Sequence, residues 1–160
     1  MEVIIVLIII IGVVGYFIYQ SSPNTKYEKA KNLFNAKDYP KAINILNEIF
    51  KKHPDAPSKL AEIKLHLGNQ TSGNNKKKRY FNEVIEIRKR IQNPTSLKKF
   101  DSIEAKAFFE ISKIKYEEGI STSLELTQAN NQLLQSQTGY ISAAVQLIQA
   151  KSNLDKALNQ

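Results

Sequence analysis

The residues of this chain best suited to acid–base or metal chemistry are its two histidines, His53 and His66. Neither sits in a pattern that such chemistry requires. A general base needs an orienting partner and a metal needs several convergent ligands. Both histidines instead stand apart, in amphipathic stretches without a spaced carboxylate cluster. The chain contains no cysteine, which removes disulfides and thiolate metal sites. No GxSxG, GxGxxG or P-loop pattern occurs. No catalytic, cofactor-binding or metal-ligating residue is expected, and the chain reads as a non-enzyme.

Charge offers one further candidate. The run NNKKKRY, Asn74 to Tyr80, lies in a 160-residue chain of net charge +8. A nucleic-acid patch is one reading of such a run. It follows the polar GNQTSG, however, and no aromatic stacking platform or reading motif accompanies it. A solvated loop entering the next helix is the expected structure, with no nucleic-acid partner.

The elements that would position any functional residue begin with an uncharged run, VIIVLIIIIGVVGYFIY, from Val3 to Tyr19. Its length is near the lower limit for spanning a hydrocarbon core, and Tyr16 and Tyr19 suit the interface. A cleaved signal peptide is the rival, but only Glu2 precedes the run and no A-x-A site follows. Residues 1–20 are therefore expected to be an uncleaved, single-pass transmembrane anchor, with membrane contact through residues 3–19. Lys26, Lys29 and Lys31 just beyond the span predict a cytoplasmic bulk by the positive-inside rule, with two residues outside.

After the linker SSPNT, the apolar residues Ala30, Leu33, Phe34 and then Ala42, Leu46, Ile49 and Phe50 recur at helical spacing. Pro40 fits the first turn of a second helix, and Pro54 is expected to end it. Ala30, Tyr39, Ala42, Leu46 and Pro54 stand at the spacing of a tetratricopeptide repeat, which this stretch, about 23–57, resembles. The resemblance implies small residues at a close helix pair, with the tyrosine filling the gap beside them. A second pair is read in PSKLAEIKLHLG, stopped by Gly68, and RYFNEVIEIRKRI, with a long polar loop between them. A third opens at Asp101 and Glu104 in capping-box spacing, with Ile103, Ala107, Ile111 and Ile114 as its stripe. Such pairs cannot bury their faces alone, so a short solenoid or a plain helical bundle is expected.

The composition changes at Gly119. Lys113, Lys115, Glu117 and Glu118 crowd the residues before it, whereas no charged residue occurs from Leu126 to Ala150. Leu126, Leu133, Tyr140, Leu147 and Leu154 fall every seven residues. Ala129, Ser136, Ala143, Ala150 and Ala157 do the same, offset by three. That is a coiled-coil seam with one large and one small position per heptad, suited to close helix packing. A second stripe, Leu134, Ile141, Val145 and Ile148, runs beside it. Two stripes suit a helix inside a bundle or closed helical barrel; a terminal helix covering the preceding repeat accounts for one.

Tyr116, Gly119, Leu124, Leu126, Ala129, Leu133, Leu134 and Gln137 stand in the order and spacing of the last helical hairpin of bacterial TolC-type outer-membrane efflux proteins. AKSNLDKAL is similar to that family's C-terminal helix, so the resemblance covers about residues 107–160. It implies a hairpin tip with Gly119 as the turn and Ile120, Ser121 and Thr122 exposed, docking on an adaptor in the periplasm. Gly tolerates the reversal, and Ser121 or Ser123 is expected to cap the returning helix. Some family members carry an arginine near the tip, where this chain has Ser and Thr.

The expected architecture is all-α: an anchor at 1–20, tetratricopeptide-like hairpins over 21–100, and a TolC-like hairpin with a long coiled-coil helix over 101–160. No outer-membrane strands precede Gly119. Two functions remain open: a membrane-anchored helical-repeat protein that binds helical protein partners or itself, and a component of a TolC-type export system. The second would place the bulk in the periplasm.

Overall fold

The structure, a computed structural model, describes residues 13–16 and 19–158. Among the described residues, six helices follow one another from Pro23 onward: α1 Pro23–Asn35, α2 Tyr39–Glu48, α3 Ala56–Gln70, α4 Asn74–Arg90, α5 Pro94–Glu117 and α6 Ser123–Leu158. The fold is all-α, with consecutive helices packed as stacked antiparallel hairpins and α3 also meeting α5. Among the described residues no helix is long and apolar enough to cross a membrane. Most of the expected anchor, residues 3–12 and 17–18, lies outside the described residues; Val13–Tyr16 and Tyr19 are helical and exposed.

Local signals explain several helix ends. Ser22 caps α1, accepting from the Thr25 backbone N–H at 3.2 Å, with Pro23 in the first turn. Asp38 caps α2 ahead of Pro40. Between them Lys37 adopts φ 62°. The Lys37 N–H donates to the Phe34 carbonyl and the Asp38 N–H to that of Leu33, both at 2.9 Å. This is a Schellman closure with lysine at the position that favours glycine.

The core runs through the first five helices. Ala30, Ala42 and Leu46 are fully buried where α1 meets α2. Leu60, Ile63, Phe81, Val84, Phe100 and Ala107 continue it through α3, α4 and α5. Ion pairs stitch successive helices at the rim: Lys26 with Glu48, Lys64 with Glu83 at 2.6 Å, and Arg88 with Glu104 at 3.0 Å. All are partly solvated, so their contribution to stability is small and screened by salt.

Four boundaries differ from those read in the sequence. Helix α2 stops at Glu48, six residues before Pro54, and Ile49 and Phe50 enter the core from the following turn. Gly68 is not a stop, because α3 runs on to Gln70. A Cβ at Gly68 would lie 2.4 Å from the Phe81 ring, so its role is to let α4 approach. The polar loop is only Thr71–Gly73, and the basic run forms the first turns of α4. Finally, α5 begins at Pro94, ahead of Asp101 and Glu104. Those two acids face Arg88 on α4 instead of capping a helix.

Candidate functional site

The hairpin α5–α6 carries the residues singled out for function. Its turn is built by backbone geometry. Gly119 has φ +72°, and no atom lies within 4 Å of where its Cβ would be, so conformation and not space requires glycine there. The Gly119 N–H donates to the Tyr116 carbonyl at 3.0 Å and the Ile120 N–H to that of Lys115 at 2.8 Å, a Schellman closure of α5.

Helix α6 then starts from a capping box that the sequence reading missed. The Glu125 N–H donates to Thr122 Oγ1 at 3.2 Å, and the Thr122 N–H donates to Glu125 Oε2 at 3.1 Å. Ser121 Oγ adds a hydrogen bond to the same carboxylate at 2.5 Å. The cap is thus Thr122, not Ser121 or Ser123, and the signal was available as T-S-L-E. The Ser121 hydroxyl, then the Thr122 N–H, and less strongly the charge of Lys115 hold the Glu125 carboxyl below its usual range. Behind the tip, Lys78 at the start of α4 pairs with Glu118 at 2.9 Å. That pair also lowers the Glu118 pKa. It holds one basic residue of the 74–80 run against the end of α5.

Tyr116, Ile120 and Leu124 are exposed around this turn. The seam itself divides in two. Ala129 is buried, Leu126, Leu133 and Ser136 are half-buried, and a groove beside them is lined by Phe108, Ile111 and Ser112 of α5. Past Ser136 this cover ends. Helix α6 has 36 residues against 24 in α5, and every described side chain from Gln137 to Leu158 is exposed. Ala143, Leu147, Ala150 and Leu154 of the seam lie on this projecting part, as does the backbone of Tyr140. At about 1.5 Å per residue the projection is roughly 33 Å long. Leu147 is 72% exposed, Ile148 68%, Ile141 62% and Leu154 59%. Both apolar stripes therefore continue bare, and α6 does not act as a lid over the preceding repeats.

The repeat-packing residues are brought together in part. Ala30, Ala42 and Leu46 share the core, while Pro54 is exposed in the turn after α2. Tyr39 meets Phe34 and His66, donating or accepting a 2.9 Å hydrogen bond with His66 Nε2. His53 stacks on Tyr27 at 4.0 Å between centroids, and its Nδ1 accepts from the Asp55 N–H at 3.2 Å. Burial, with Asp55, Glu62 and Glu28 nearby, pushes the Tyr27 hydroxyl up to about 12. Both imidazoles thus belong to aromatic contacts, His66 between helices and His53 from the turn after α2 onto α1. Among the described residues no three of His, Asp and Glu gather where a metal ion could be held.

Compared with known proteins, the chain matches no family model, no curated protein and no solved structure.

Proposed function

We propose that this chain is a membrane-anchored helical-repeat protein that holds helical protein partners on the projecting part of α6. The observation that carries the reading is the bare double stripe between Gln137 and Leu158. Contiguous exposed apolar surface on a helix favours association with a second apolar surface. The absence of charge from Leu126 to Ala150 lets either face of that stretch be buried without stranding an ion. The stacked hairpins of α1–α5 give the projection a rigid base, and the apolar run at 3–19 supplies the attachment to a bilayer.

The second reading, a component of a TolC-type export system, draws on one specific observation. The α5–α6 turn is a tight, glycine-dependent tip that exposes Ile120 and Leu124 and leads into a long helix without charge from Leu126 to Ala150. The tetratricopeptide-like and TolC-like resemblances remain part of this proposal.

Leu147→Gln together with Ile148→Gln tests the reading in cells, since both side chains are exposed and the body should stay folded. Loss of defined protein partners from the membrane-bound chain, with circular dichroism unchanged, is the expected result. Retained partners with reduced export of a pump substrate would favour the second reading, and no change in either would remove the projection as a working surface.

A further inference from the structure

We infer that the projecting seam of α6 binds a second copy of this chain, antiparallel, in one register. The inference rests on the proposal that the projection is an interaction surface, and it names the occupant of one of its two stripes. Three observations lead to it. The seam is continuous with an interface already formed, because its first half, around Ala129 and Leu133, packs on α5. What covers the second half should therefore be another helix at similar close approach.

The alternation of large and small residues then selects the partner. In a parallel pair, like positions meet, giving Leu147 against Leu147 and Ala150 against Ala150. The leucine layers would hold the helices apart and leave voids at the alanine layers. In an antiparallel pair, the two positions of the heptad face each other. A two-fold axis between residues 148 and 149 sets Leu147 over Ala150 and Ala143 over Leu154, and the same on the other side. Every layer then contains one large and one small residue, which permits uniform close approach across the projection.

Charge agrees with this register. The projection's charged residues are Lys151, Asp155 and Lys156. Lys151 falls opposite Gln146, and Asp155 and Lys156 fall opposite Ser142 and Ile141, so no like charges meet. The second stripe, with Ile141 and Ile148, stays to one side of the pair and remains open to other proteins.

The absence of native cysteine makes the test direct. Full-length Ala143→Cys and Leu154→Cys chains, carrying different tags, are mixed in mild detergent and oxidised. The expected product is a mixed dimer of the two variants, with neither forming a disulfide dimer alone. Leu147→Gln in both chains should abolish it. Self-cross-linking of Ala143→Cys would overturn the antiparallel arrangement. A wild-type chain that sediments as a monomer at high concentration, or a projection that cross-links only to other proteins, would overturn the inference. The last result would leave the proposed scaffold function standing, whereas loss of partners in cells without loss of the dimer concerns that function alone.

Discussion

Replacing Gly68 with alanine measures how closely α3 and α4 approach. A Cβ at that position lies 2.4 Å from Phe81 Cε1 and 2.9 Å from both Cδ1 and Cζ. Carbon contacts are comfortable at about 3.5–4.0 Å, so the ring has to retreat by roughly 1 Å. It has little room to do so, because Phe81 is buried in one core with Leu60, Ile63 and Val84. Overpacking of this kind costs about 1–3 kcal/mol. Removing a glycine from a helix interior contributes about 0.5–1 kcal/mol in the other direction. The expected net destabilisation is about 1–2 kcal/mol, or a melting point lower by roughly 2–8 °C for a chain of this size. Urea and thermal melts of the full-length protein, followed by far-ultraviolet circular dichroism, read both quantities. Adding Phe81→Leu should make the pair less than additive, because the new methyl occupies part of the space that the ring vacates. A Gly68→Ala protein as stable as wild type, or a strictly additive pair, would refute the packing argument.

The two Schellman turns invite opposite substitutions. Gly119→Ala should destabilise by about 1 kcal/mol, whereas Lys37→Gly, at φ 62°, should gain a similar amount, and equal melting points for both would contradict the backbone assignment. The capping box at the tip predicts a pH dependence. Because the folded Glu125 pKa is depressed, its contribution to stability is fully present above the unfolded value. That contribution is lost as pH falls through the folded one. Carboxyl carbon titration by NMR should give a midpoint below the ordinary 4.5, and Glu125→Gln should flatten the acid side of the stability profile.

Much of the fold was legible in the sequence because it depends on local chemistry. Helical spacing of Ala30, Ala42 and Leu46, Pro40 in a first turn, and Gly119 as a reversal act within a few residues, and the structure has each in that place. The T-S-L-E box was equally local and was overlooked in favour of its neighbouring serines. The errors have a different origin. Gly68 looks like a helix stop in one dimension, and only the ring of Phe81, thirteen residues on, makes it a packing glycine. Asp101 and Glu104 have the spacing of a cap, but Arg88 from the adjacent helix claims them.

The interaction surface follows the same division. Heptad spacing by itself determined that α6 carries two apolar stripes and one large–small seam, since side-chain direction along a helix is set by its 3.6-residue turn. Which part of that seam is covered could not be read from spacing, because Leu133 and Leu147 are the same residue at the same heptad position. Burial depends on where the neighbouring helix ends, and in the tertiary structure α5 covers the seam only as far as Ser136.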